Sequence, residues 1–98
     1  MLRHVVMLSW NDDVDDDHVS AAGAALDTLP GKIDVIRSYV HGADLGISEG
    51  NFDYVVVADF DDADGYAVYR DHPDHQALIQ QYIAGHIEQR AAVQYAVI

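Results

Sequence analysis

Residues 54–60 read Tyr-Val-Val-Val-Ala-Asp-Phe, and no other stretch of the chain restricts its fold as tightly. Alternate side chains of a strand point to opposite faces, so Tyr54, Val56, Ala58 and Phe60 share one face and Val55 and Val57 the other. A segment apolar on both sides belongs in the middle of a sheet, covered from each side. Residues 2–10 make the same demand. His4, Val6, Leu8 and Trp10 fall on one face, and Arg3, Val5, Met7 and Ser9 on the other. A chain of 98 residues has room for one domain, residues 1–98, and leaves much of its surface exposed unless it finds a partner.

The other elements follow from periodicity and punctuation. Asn11 and Asp12 offer a turn or cap, and Asp15, Asp16 and Asp17 suit the first turn of a helix, where the dipole favours negative charge. Val19, Ala22, Leu26 and Leu29 recur at helical spacing until Pro30-Gly31 stops the helix. Residues 35–41 read as a second strand, with Ile36, Ser38 and Val40 opposing Arg37, Tyr39 and His41. A polar, glycine-rich loop fills 42–53. After the third strand, Asp61-Asp62 caps a helix carrying Tyr66 and Tyr69, and a corner falls at His72-Pro73. A further helix then carries Leu78, Ile79, Tyr82, Ile83 and Ile87. Residues 91–98 close as a strand with Val93, Tyr95 and Val97 on one face.

This order is that of an α+β, ferredoxin-like split βαβ arrangement: an antiparallel four-stranded sheet with helices on one face. Helices cover a single face, yet the first and third strands are apolar on both. The second face is therefore expected to be buried in a twofold homodimer, sheet against sheet.

Charge narrows the partners. The formal net charge is −12, from 17 acidic residues against 5 Lys plus Arg, and the five cations are scattered. Nucleic acids and anionic membranes need clustered cations, so neither is an expected partner. No run approaches the length of a membrane span, and no export signal is read at the start. The absence of cysteine excludes thiolate metal sites and disulfides and fits a cytoplasmic setting. An aspartate-rich surface is also what a salty interior would favour.

The chemistry concentrates in Tyr69 to His75, Tyr-Arg-Asp-His-Pro-Asp-His. Pro73 lacks an N–H and has a fixed φ, so one helix ends near Arg70 and another restarts with the proline in its first turn. Tyr69 then lies in the last turn of the first helix and His75 in the first turn of the second. A helix start disfavours an imidazolium, so His75 is expected neutral and able to act as a base. Tyr69 would be the hydrogen-bond donor, and His4, on the inward face of the first strand, could orient either partner. Caps and packing are the competing reading of the same residues. His72, His75 and His4 with Asp71 or Asp74 are the candidate metal ligands, but histidines three apart across a proline corner match common ligand pairs poorly, and no metal site is assigned. The glycine-rich loop lacks lysine and leads into no helix, so it is not a phosphate cradle.

The chain resembles the stress-responsive α/β-barrel (Dabb) family over nearly its whole length. The resemblance is carried by Arg3-His4-Val5-Val6, Leu29-Pro30-Gly31, Asn51-Phe52-Asp53-Tyr54, Phe60 with the acidic residues after it, Tyr69 to His75, and Val93 to Tyr95. It implies a dimeric α/β barrel and a cleft between sheet and helices. The best understood enzymes of this family are polyketide cyclases, olivetolic acid cyclase among them, which work without a cofactor. Their catalytic tyrosine and histidine match Tyr69 and His75, and a further histidine matches His4. The bulky aromatics of the plant cyclase pocket are replaced here by residues such as Ala22, Leu78 and His86, so its substrate is not implied. Two functions are thus expected. One is a cofactor-independent cyclase or isomerase acting on a hydrophobic, polyketide-like carbonyl compound, bound by Val6, Leu26, Val56, His72, Leu78 and Tyr82. The other is a non-catalytic, stress-responsive dimer that binds a small ligand.

Overall fold

A computed structural model describes all residues, Met1–Ile98. Four strands, β1 (Leu2–Trp10), β2 (Ser38–Ala43), β3 (Tyr54–Phe60) and β4 (Ile87–Ala96), form one antiparallel sheet in the order β2-β3-β1-β4. The two doubly apolar strands take the central places. Helices α1 (Asp16–Thr28), α2 (Ala63–Asp71) and α3 (Pro73–Leu78) pack on one face of the sheet. Ferredoxin-like α+β architecture is therefore the fold.

The caps show why the helices start where they do. Asp15 accepts a hydrogen bond from the His18 N–H at 2.8 Å, and Asp16 and Asp17 follow in the first turn of α1. Asp62 caps α2 through the Gly65 N–H at 2.9 Å. At the corner His72 is the N-cap of α3, its Nδ1 accepting from the Asp74 N–H at 3.1 Å, with Pro73 as the first helical residue.

Two boundaries depart from the sequence reading. The second strand spans Ser38–Ala43 and not 35–41. Residues after the 3₁₀ turn at Leu29–Gly31 instead fold under the helix layer, where Ile33 is fully buried and Ile36 N–H donates back to Ile33. Val35 and Ile36 serve the core from a turn, which strand alternation cannot distinguish from a strand. At the other end the helix following the corner is short. α3 gives way to a π-turn over Ile79–Ile83, and Gly85, at φ 79°, reverses the chain into β4. Ile87, placed by its spacing on the helix, pairs with Trp10 as the first residue of β4.

Strand register sets the inward face in rows. One row reads Tyr39, Ala58, His4, Gln94 from β2 to β4, and the next His41, Val56, Val6, Ala92. A third reads Ala43, Tyr54, Leu8, Arg90. The core is built on these rows with Leu26 and Leu29 from the α1 end and Tyr69 and Leu78 from α2 and α3. At about 25 cal/mol per Å² of apolar surface removed from water, it is the main term holding helices to sheet.

The opposite face is uncovered. Val40 and Val93 are 57% and 56% exposed, and Met7 and Tyr95 join them. The ionic residues there are mutually satisfied: Arg3 grips Asp59 through Nε and Nη2 at 2.8 and 2.9 Å, and its Nη1 reaches Tyr95 Oη at 3.3 Å. The fork holds the Asp59 carboxyl below the usual carboxylate range. β4 differs from the other strands in being exposed on both faces.

Candidate functional site

The row Tyr39, Ala58, His4, Gln94 is the floor of the candidate site, and α2 and α3 form its roof. Ala58 contributes only a methyl between Tyr39 and His4. Tyr69, 4% exposed, hangs from the last turn of α2, and His75 from the first turn of α3. The Pro73 corner brings their rings to a centroid distance of 4.0 Å at 34°. Phe60 braces Tyr69 at 5.1 Å.

Hydrogen bonds decide the protonation of each ring. His75 Nδ1 lies 3.0 Å from the Arg70 carbonyl, which can only accept, so Nδ1 carries the proton and Nε2 keeps its lone pair. Burial depresses the His75 pKa, outweighing the carbonyl's opposite pull, so the ring is neutral near pH 7. His4, 6% exposed, has Nδ1 3.0 Å from Gln94 Nε2, which donates to it and leaves Nε2 as the protonated nitrogen. Its pKa is lowered by burial first, then by the charges of Arg90 and His75. Every buried side-chain nitrogen or oxygen has a partner, so the unpartnered Nε2 atoms of His4 and His75 reach accessible space.

Tyr69 Oη is 2.8 Å from Tyr39 Oη. Two hydroxyls share one bond and hold two protons, so one O–H is left for a ligand. Burial pushes the Tyr69 phenol up to about 12 and raises Tyr39 as well, so both remain protonated donors at neutral pH. The site therefore offers a lone pair on His75, a spare phenol proton and an imidazole N–H on His4. That set can remove a proton beside a carbonyl and hold the oxygen that becomes negative.

The remaining expected contacts divide. Leu78 lies one turn after His75, and Val6 and Val56 lie in the next row. Leu26, Val56 and Leu78 are buried in the core, with Val6 packed against it. Tyr82 stands apart: its carbonyl accepts from His18 Nε2 at 2.9 Å, and its ring lies 5.8 Å from that of His18. His72 is engaged as a cap. No three His, Asp or Glu side chains are grouped as metal ligands require. A concavity of about 640 Å³ lies on the uncovered face of the sheet between Met7, Val40, Phe52, Val55 and Val57. It sits across the sheet from Tyr69 and His75, and is a property of the unpaired face.

A second polar array escaped the sequence reading. His41 Nε2 donates to Asp27 at 2.6 Å, and its Nδ1 accepts from Tyr54 Oη at 2.7 Å. Gly23 makes this possible, because a Cβ there would sit 3.1 Å from the Tyr54 oxygen. Tyr39 and His41 already shared a face in the strand alternation. Their partners Tyr69, Asp27 and Tyr54, and the pairing of Gln94 with His4, depend on register and helix placement that no local pattern encodes.

Fold and floor together define a small ferredoxin-like protein of the kind that assembles as α/β-barrel dimers. The model of the stress-responsive A/B barrel domain matches residues 2–97, and the chain belongs to that family. The uncharacterized protein SCO4036 of Streptomyces coelicolor is 33% identical over 79 residues, covering 79% of this chain and 81% of that protein. A dimeric ferredoxin-like protein of unknown function from Thermobifida fusca is 45% identical, with a TM-score of 0.90 over 98% of this chain and 90% of the other. A hydroxynitrile lyase from Passiflora edulis shares the fold at a TM-score of 0.85 and 14% identity, over 99% of this chain and 93% of that one. Dimeric relatives support a homodimer here, and no helix is long and apolar enough to cross a membrane.

Proposed function

We propose that this protein is a cofactor-independent acid–base enzyme of the cytoplasm, acting on a hydrophobic carbonyl compound of polyketide type. His75 Nε2 is the base, and Tyr69 is the donor to the developing enolate oxygen. Tyr39 holds the phenol in place, and the N–H of His4 supplies a second donor. The observation that carries this reading is the bond from His75 Nδ1 to the Arg70 carbonyl, which fixes the tautomer and leaves the Nε2 lone pair free on a ring whose centroid lies 4.0 Å from that of Tyr69. Packing alone requires no such remainder.

The apolar sheet face, with its Arg3–Asp59 pair neutralised internally, supports association through that face. Closing it leaves the helix-side site open.

Deuterium wash-in tests the chemistry without knowledge of the natural substrate. In D₂O, catalytic amounts of the protein should exchange the protons beside the carbonyl of 4-phenyl-2-butanone, and His75→Ala should lose roughly 100-fold or more of that rate. A folded His75→Ala protein exchanging at the wild-type rate overturns the assignment. Ligand-induced shifts at His75 without any exchange would favour the stress-responsive binding protein, the second reading the same residues allow.

A further inference from the structure

The inward face of β4 carries a group that the acid–base reading does not use. Of four arginines, Arg3 is paired with Asp59, Arg37 with Asp61 and Arg70 with Asp71, each at 2.8 to 2.9 Å. Arg90 forms no ion pair and no hydrogen bond with the chain, although acidic residues outnumber cations 17 to 5. A free guanidinium in so acidic a protein is conspicuous by its position. Arg90 is opposite Leu8 and Gln94 opposite His4, so both side chains stand on the face that carries the site. Ala92 between them contributes only a methyl group. No helix shields this stretch, and Arg90, Ala92 and Gln94 are all exposed.

Geometry links this strip to the reacting groups. Gln94 Nε2 already touches His4 Nδ1 at 3.0 Å, and the charge of Arg90 is felt at His4. A strand rises about 3.3 Å per residue, so the backbones at 90 and 94 are roughly 13 Å apart, and a guanidinium can swing back over Ala92. Arginine presents a planar fork that matches a carboxylate, and it stays charged at any working pH. In a molecule whose overall field repels anions, a lone unpaired cation beside the site is what would admit one.

We propose that Arg90 and Gln94 form an anion subsite flanking Tyr69 and His75, and that the compound taken there is a hydrophobic carbonyl compound bearing a carboxylate. The proposal rests on the acid–base reading and narrows its substrate to keto acids. The carboxylate lies against Arg90, with the carbonyl directed inward over Ala92 towards His4 and His75.

The probe is 3-benzoylpropionate against its methyl ester, titrated into wild type and Arg90→Gln while the ring resonances of His4 and His75 are followed. The acid should bind at least tenfold more tightly than the ester to wild type. Arg90→Gln should erase that preference and leave the ester unaffected, with Arg90→Lys intermediate because it keeps the charge and loses the fork. Equal binding of acid and ester by wild type overturns the subsite but leaves the acid–base reading intact. Acid preference lost on Arg90→Gln, with no deuterium exchange in any ketone, keeps the subsite and removes the catalysis. If neither compound shifts His4 or His75, both fail. If Arg90→Gln chiefly dissociates the dimer in sedimentation, the guanidinium serves the partner subunit and the proposal is wrong.

Discussion

Two arrays of nearly the same parts lie side by side on the inward face of the sheet. One joins Tyr39, Tyr69 and His75; the other joins Asp27, His41 and Tyr54. Both contain imidazole and phenol, hydrogen-bonded to each other at 2.7 Å in the second and in ring contact at 4.0 Å in the first, and both use β2, whose Tyr39 and His41 are neighbours on one face. They differ in what is left over. In the second array both nitrogens of His41 are occupied, and the Tyr54 hydroxyl is closed in by Gly23. In the first, one imidazole lone pair and one phenol proton remain unspent. Residue type therefore does not separate a candidate reactive site from a structural tie; the unused hydrogen-bonding capacity is what distinguishes the two arrays.

The largest expected effect tests that contrast directly. Tyr69→Phe removes the hydroxyl assigned as donor and should cut deuterium exchange by roughly 100-fold while the fold is retained, because the ring still packs on Phe60. Loss of only a few-fold would mean that Tyr39 or His4 supplies the oxyanion donor. His41→Ala should do the reverse. It strips the buried Tyr54 hydroxyl of its acceptor, and urea denaturation should read a loss of about 1–3 kcal/mol with exchange per folded molecule nearly unchanged. An inactive but stable His41→Ala would break the distinction between the arrays.

Smaller effects come from pH. The His75 pKa is lowered in the folded protein, so between that value and about 6.5 the unfolded chain binds more protons than the folded one. Stability contributed by the neutral ring is present above that window and is lost as pH falls through it. Thermal melts from pH 7 to 5 should show His75→Gln gaining on wild type by a few degrees. Exchange activity should fall over the same range, with a midpoint below 6.5, as the base becomes protonated. A midpoint above 6.5 would point to a different base.

The sequence disclosed the fold well because its strongest signals are global: two strands apolar on both faces can sit only at the centre of the sheet. It misplaced boundaries where the chain turns while still serving the core, at Val35 and Ile36, and where a π-turn and Gly85 cut a helix short before Ile87. For the site, Pro73 gave the corner that faces Tyr69 towards His75, and alternation put His4 inward and placed Tyr39 and His41 together on one face of their strand. What alternation cannot supply is register. The contacts of Gln94 with His4, Tyr39 with Tyr69 and Asp27 with His41 link residues 90, 30 and 14 positions apart, and each depends on how whole elements are stacked.

β4 ties two properties of the molecule together. One side of this ribbon carries Gln94, the neighbour that sets the tautomer of His4, and the other carries Val93 and Tyr95, half open to water in the isolated subunit. A shift of that ribbon on association would reach the imidazole through the Gln94 side chain. The proposed exchange activity should consequently depend on protein concentration and fall on dilution before the fold is lost.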